Sequence, residues 1–274
     1  MRIDSHQHFW KYDPVKYSWI EDNMQTLRRD FLPADLAPLL KQKNIHGSVA
    51  VQADQSEGET EFLLGLAGQN DIVKGVVGWV DLLVDGVEER LEHFSKNKYL
   101  KGIRHIVQSE PNDFMLRKDF QNGIMSLAQF DLVYDILVFP PQLIAAIALV
   151  QKFPDQYFVL DHIAKPYIKD SKISGWKEDI KELAHNPKVY CKLSGMVTEA
   201  DWNDWKEDDF RQYLDVIVEA FGTDRLMYGS DWPVSLLAAQ YEKQYAIVEN
   251  YISQFSQEEQ ANIMGNTAAK FYKL

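Results

Sequence analysis

A single cysteine, Cys191, is all the chain carries, so no intramolecular disulfide can form and neither a zinc ribbon nor a Cys-x-x-Cys redox pair is available. Such cysteine usage suits a reducing cytoplasm, which is the expected compartment. Basic charge is also short: 29 Lys and Arg face 41 Asp and Glu, for a formal net charge of -12. No basic stripe with interleaved aromatics offsets that field locally, so a phosphate backbone is repelled and nucleic acid is not an expected partner. Long apolar runs are missing as well. The longest, Leu143 to Val150, falls far below bilayer length, and Met1-Arg2-Ile3 leads straight into Asp4-Ser5-His6 without the charged region and apolar core of an export signal. Neither export nor contact with a membrane is expected.

No internal repeat, low-complexity tract or linker interrupts the chain, so residues 1–274 are expected to form a single domain. With 46% hydrophobic and 12% aromatic residues beside 26% charged ones, the balance is that of a soluble globular protein, without the low hydrophobicity of disorder. Eight short segments rich in β-branched or apolar residues read as strands: 2–8, 46–52, 73–80, 101–107, 131–138, 157–161, 189–193 and 225–228. Helical spacing marks the stretches between and after them, at 34–43, 60–66, 87–94, 119–130, 143–153, 176–185, 210–221 and 241–255. Strands separated by helices call for parallel pairing with crossover connections, and eight such units close into a (β/α)8 TIM barrel of about this length. The alternative, an open doubly wound sheet, usually carries a Gly-rich phosphate turn after its first strand, where this chain has His6-Gln7-His8-Phe9-Trp10.

Two further segments stand out. Ser256 to Glu259 has capping-box spacing and starts a helix that runs to the C-terminus, where it is expected to complete the outer layer. Residues 10–32 carry Trp10, Tyr12, Tyr17, Trp19 and Phe31 among charges, and read as a structured loop over the barrel mouth.

His6 and His8 end the first strand two residues apart, so both imidazoles and Asp4 are expected on one face, pointing into the barrel. That spacing suits a metal or two donors on one developing oxyanion, the alternative being a pair of surface histidines at the chain end. His162 follows Phe158-Val159-Leu160-Asp161 at the C-terminal end of the sixth strand, where barrel enzymes place reacting groups; it also has a structural reading, as a turn cap near Pro166. Asp161 alternates with it and is expected to face outward. Asp231 ends the eighth strand, and barrel closure brings it beside His6 and His8, where a carboxylate takes a proton from water; otherwise it caps a helix. Arg104, on the fourth strand, is expected to meet an anionic or polyhydroxylated ligand, or else a structural salt bridge. Gln52, Trp79, Tyr134 and Lys192 fall near C-terminal strand ends and are expected to line the pocket.

Five ordered motifs carry a resemblance: Asp4-Ser5-His6-Gln7-His8-Phe9-Trp10, Gly102-Ile103-Arg104-His105, Leu160-Asp161-His162-Ile163-Ala164-Lys165-Pro166, Cys191-Lys192-Leu193-Ser194-Gly195 and Tyr228-Gly229-Ser230-Asp231-Trp232-Pro233. Together they resemble the amidohydrolase-2 branch of the amidohydrolase superfamily, and within it the sugar-lactone hydrolases of the L-fuconolactonase and L-rhamnono-lactonase type. The resemblance implies that His6, His8 and Asp231 occupy metal-site or water-activating positions and that His162 polarises or protonates. Many superfamily members add a lysine on the fourth strand and a histidine on the fifth. Here those strands offer Arg104 and Tyr134-Asp135-Ile136-Leu137, so a two-metal centre is not expected. One zinc held by His6, His8 and Asp231, or no metal at all, remain the two options. The expected reaction opens a sugar lactone such as an L-fucono- or L-rhamnono-lactone. Its rivals are a metal-dependent decarboxylase of the same branch and a non-catalytic barrel that binds a sugar acid.

Overall fold

Segments such as Ser48–Val51 (SVAV) and Phe158–Leu160 (FVL) are buried along their whole length, as strands must be when one face meets a barrel interior and the other a helix layer. In the computed structural model, which describes residues 1–274, eight such strands pair in parallel and in sequence order: β1 (Asp4–Gln7), β2 (Ser48–Val51), β3 (Val73–Gly78), β4 (Leu100–His105), β5 (Val133–Ile136), β6 (Phe158–Leu160), β7 (Val189–Leu193) and β8 (Leu226–Tyr228). Helices alternate with them: α1 (Pro33–Gln42), α2 (Glu57–Gln69), α3 (Val87–Ser95), α4 (Lys118–Leu127), α5 (Leu143–Lys152), α6 (Trp176–Leu183), α7 (Asp208–Phe221) and α8 (Tyr241–Ile252). This is the (β/α)8 barrel expected from the alternation. Most strands are shorter than the sequence suggested because ladder pairing stops where the chain turns into its connections, at the floor as well as at the mouth. Helix α2 is longer than its apolar spacing indicated, since Ser56 caps it by accepting the Glu59 N–H.

The seam closes just past the last strand. Gln7 bridges Trp232 in parallel, the Asp231 N–H donates to the His6 carbonyl at 2.8 Å, and the His8 N–H donates to the Trp232 carbonyl at 2.7 Å. The backbone itself therefore brings Asp231 against the first strand.

The C-terminal segment departs from expectation. Ser256 and Glu259 do form a capping box, with the Ser256 N–H donating to the Glu259 carboxylate at 2.9 Å. The helix is not continuous, however: α9 (Gln257–Ala261) gives way to a widened turn at Asn262–Asn266 before α10 (Thr267–Phe271). A Cβ at Gly265 would overlap the Met1 carbonyl and lie 2.5 Å from the Ile3 nitrogen, so only glycine lets the chain pass beneath β1. Beyond that crossing, Ala268, Phe271 and Tyr272 pack among Ile3, Val49, Val51, Val77, Val133, Val159 and Met227. The final helix is thus a plug in the barrel floor rather than part of the outer layer. Its apolar face fills an interior that short side chains such as valine leave open.

Residues 10–32 are structured, as their aromatic content suggested. Trp10 and Phe31 exchange backbone hydrogen bonds of 3.0 and 2.9 Å, and Phe31 meets Trp232 edge to face at 5.2 Å between ring centres. The loop is thereby pinned to the β8 end. No helix is long and apolar enough to cross a membrane.

Candidate active site

His6 and His8 converge because β1 ends in the seam just described. The His8 Nδ1 lies 2.7 Å from the Val51 carbonyl, which accepts its proton and leaves the Nε2 lone pair of the neutral ring facing the cavity. That Nε2 is 3.2 Å from His6 Nε2 and 3.3 Å from Asp231 Oδ1. His162 joins them, with its ring centre 4.4 Å from that of His6 and its Nε2 3.8 Å from Asp231 Oδ1. The four residues singled out from the sequence therefore share one buried locus. Asp4 does not. A register shift within β1 turns its carboxylate toward α8, where it accepts the Ser230 N–H at 2.8 Å and the Tyr241 hydroxyl at 3.0 Å.

Asp161 faces inward, not outward. Strand alternation puts Val159 and Asp161 on the interior face, and the chain then enters a left-handed run from His162 to Lys165, with φ of 53, 50, 60 and 47°. That run rotates His162 back into the site, so two consecutive residues both reach it. Ser194 Oγ lies 2.9 Å from His162 Nδ1 and fixes the ring. Gly195, with φ of +62°, packs so closely that a Cβ would overlap the imidazole. We expect Gly195→Ala to cost about 1–2 kcal/mol for the left-handed backbone and to lower kcat roughly 100-fold by displacing His162; thermal melts and steady-state kinetics read the two effects separately.

Beneath the imidazoles lies a buried charge cluster. Arg104 Nη1 donates to Asp161 Oδ2 at 3.0 Å, Nη2 donates to the Gln52 carbonyl, and the Gln52 amide returns a bond to the Arg104 carbonyl at 3.1 Å. Arg104 is thus engaged in the salt bridge posed as its alternative, although its guanidinium also borders the cavity. Lys192 is fully buried below His6, with Nζ 2.5 Å from Asp135 Oδ2, 2.9 Å from Asp161 Oδ1 and 3.1 Å from His6 Nδ1. Gln52 and Lys192 support the site without lining its open space.

Trp79 and Tyr134 lie elsewhere. The Trp79 backbone is held by the Thr60 hydroxyl, at 2.8 Å from its N–H and 2.7 Å from its carbonyl, and its ring does not border the cavity. Tyr134 alternates with inward Asp135, so it points into the helix layer, with ring centres of Phe120 and Phe158 at 5.9 and 6.3 Å.

Burial holds the His6 and His162 imidazoles well below their usual range, against the pull of Asp161 on His6 and of Asp231 on His162. Both rings are neutral at pH 7. For Asp231 the penalty of burial is outweighed by His162 and His8, which hold the carboxyl below its ordinary value. For Asp161 it is outweighed above all by Lys192, which with His6 and Arg104 holds that carboxyl well down. A carboxylate that stays ionised among neutral imidazoles is equipped to take a proton from water.

Above this floor opens a cavity of about 520 Å³. His8, Arg104, His162 and Asp231 form its base, while Trp19 and Trp202 stand in its walls. Lys165 borders it too, paired with Glu199 at 2.9 Å.

Residues 3–274 match the Amidohydrolase family. The chain belongs to the amidohydrolase family. This amidohydrolase is 42% identical over 286 residues to the L-fucono-1,5-lactonase of Burkholderia multivorans, covering 100% of the chain and 96% of that protein. It is 34% identical over 280 residues to the L-fucono-1,5-lactonase of Burkholderia ambifaria, again covering 100% and 96%. A crystal structure of an amidohydrolase from Burkholderia multivorans with bound Zn superposes with a TM-score of 0.97 at 42% identity, covering 100% of this chain and 99% of that one.

The amidohydrolase's own residues fit one divalent ion. His8 Nε2 and Asp231 Oδ1 are electron-pair donors facing each other, an arrangement that needs a shared proton or a cation between them. Two ligands roughly 2.0–2.1 Å from a tetrahedral ion lie about 3.3 Å apart; the 3.2 and 3.3 Å separations of His6 Nε2 and Asp231 Oδ1 from His8 Nε2 match that span, while His6 Nε2 and Asp231 Oδ1 stand wider, at 3.9 Å. His6, His8 and Asp231 form such a group. Arg104 Nη1, 3.4 Å from His6 Nε2, adds positive charge that works against the ion. A second potential group, His6, Asp161 and His162, shares its carboxylate with Lys192 and Arg104, two cations that compete directly with a metal.

Sequence reasoning missed Asp161, Ser194, Lys165 and Glu199 in the amidohydrolase. Alternation from Val159 was a signal for Asp161, overridden by assigning the inward face to His162. Glu199 lies in the connection after β7, where no spacing announces it.

Proposed function

We propose that this amidohydrolase opens a sugar lactone of the L-fucono- or L-rhamnono-lactone type to its aldonic acid. What carries the reading is an ionised carboxylate, Asp231, meeting three imidazoles at the base of a cavity in a chain similar over its whole length to two L-fucono-1,5-lactonases. The cavity's charge supports a neutral substrate. Arg104 is engaged by Asp161 and Lys165 by Glu199, so no free cation waits for a carboxylate or phosphate. Trp19 and Trp202 offer apolar faces of the kind that a sugar ring's C–H surface packs against.

Asp231 accepts a proton from water as the water oxygen bonds to the lactone carbonyl carbon. His162 and His6 face the carbonyl oxygen as it becomes anionic, a role for N–H donors placed in advance, while His8, whose Nδ1 proton goes to the Val51 carbonyl, has no N–H to offer there. The bond from the carbonyl carbon to the ring oxygen then breaks, and the ring oxygen leaves as a hydroxyl with the proton that Asp231 held. An ion at His6, His8 and Asp231, when bound, supplies Lewis acidity and an acidified water.

A panel of sugar lactones in weakly buffered indicator, run with and without chelator, tests the reading. Acid release from six-carbon sugar lactones is expected; the chelator arm reads whether the ion is needed. Carbon dioxide release from aromatic acids without any lactone opening would assign the decarboxylase instead, and ligand binding with no turnover would assign the sugar-acid binder.

A further inference from the structure

Tyr272 lies at the opposite end of the barrel from the cavity, on the residue that follows α10, yet its hydroxyl is buried in the interior. Its neighbours there are Ala268, Phe271 and the valines of the floor, so a phenylalanine would fill the same space without the cost of taking a hydroxyl out of water. The hydroxyl has one partner, Asp135, whose oxygens lie at 3.1 and 3.0 Å. For Asp135 Oδ1 that is the sole hydrogen bond; Oδ2 also accepts from Lys192 Nζ at 2.5 Å. Lys192 in turn reaches His6 Nδ1 at 3.1 Å and Asp161 Oδ1 at 2.9 Å, and its Nζ stands 5.5 Å from the Tyr272 ring centre. A continuous path of polar contacts thus runs from the end of the chain, through β5 and β7, to a histidine of the cavity.

We propose that Tyr272 is a positioning residue for the reaction, acting through Asp135 and Lys192 on His6. By donating to Asp135 it shares that carboxylate with Lys192. The ammonium is then left free to stay under His6 and Asp161 instead of being drawn down to Asp135. The place of Lys192 decides what His6 Nδ1 meets, an ammonium donor or only the Asp161 carboxylate at 3.3 Å, and so decides whether the cavity-facing Nε2 carries the ring's proton, as it does when Nδ1 accepts from Lys192, or its lone pair. Second partners of this kind orient a reacting imidazole as much as its direct contacts do.

The inference rests on the lactone-opening reading for the role of His6, and its test separates the two. Tyr272→Phe keeps the ring and the plug and removes only the hydroxyl. Expected is a fall in kcat of roughly tenfold with KM unchanged, the lower end for a remote supporting contact, together with a shift of the His6 side-chain 15N resonances. Phe271→Leu, which loosens the same plug without touching Asp135, is expected to lower the melting temperature and leave kcat and those resonances alone. In the pair Tyr272→Phe and Asp135→Asn, the double variant should be no slower than Asp135→Asn by itself. Unmoved kcat and unmoved His6 resonances in Tyr272→Phe would overturn the proposal and leave the residue a packing element. Should the wild type open no lactone, the reading of the function falls, while the His6 resonances still decide the role of Tyr272.

Discussion

Asp231→Asn should leave a folded protein that binds lactone and turns it over about 10³-fold more slowly, within the span general bases contribute. Asparagine matches the carboxylate in shape, and the position has φ of 54°, a left-handed conformation that asparagine tolerates better than most residues, so the seam hydrogen bond from this backbone to His6 survives. What is lost is the ability to take a proton. The fall should appear in kcat with KM little changed, because the amide still occupies the base of the cavity. Acidification should mimic the substitution in the wild type: with its carboxyl held below the ordinary value, Asp231 stays ionised through neutral pH, and activity is lost only as the pH falls into the low carboxylate range. Steady-state kinetics and a thermal melt on the same preparation check both halves. An Asn variant with wild-type kcat would remove Asp231 from the chemistry.

Lys192→Met carries the largest expected effect on stability. Methionine matches the length of the lysine stem but leaves Asp135 and Asp161, both fully buried, with Arg104 as the one remaining cation of the cluster. Removing one partner of a buried ion pair typically costs about 3–5 kcal/mol, which for a chain of this size lowers the melting temperature by on the order of 10 °C. The loss should depend on pH with a definite sign. Burial pushes the Asp135 carboxyl up to about 6 even against the pull of Lys192, so without the ammonium this group takes a proton more readily still. A protonated Asp135 no longer needs a cation, and the deficit should be largest above pH 7 and shrink as the pH drops through 6. Denaturant melts of both proteins at pH 8 and at pH 5.5 measure it. A deficit that grew on acidification would contradict the charge assignment of the cluster.

How far the sequence could be read depends on which interactions are local. Strand and helix identity followed from side-chain spacing, and once eight units alternate, the meeting of Asp231 with His6 and His8 follows from circular closure. His162 was legible for the same reason, as the end of a strand. The residues misplaced are those whose direction depends on backbone rotation that spacing cannot show. Asp4 is turned away by a register shift, Asp161 is kept inside while a left-handed turn brings His162 in beside it, and Tyr134 goes outward because Asp135 takes the interior. The plug was hidden for a different reason. Its apolar residues suit an outer helix as well as a floor, and only the glycine crossing at Gly265 distinguishes the two paths.

That crossing also dictates an order of events during folding. The segment that lies under the first strand, and the tyrosine that completes the interior, are separated from that strand along the chain by all seven of the others. Until that segment docks, the barrel therefore has an open base and an uncovered ring of valines, a state exposed to misassembly. Completion of this fold is a docking step, gated by α10.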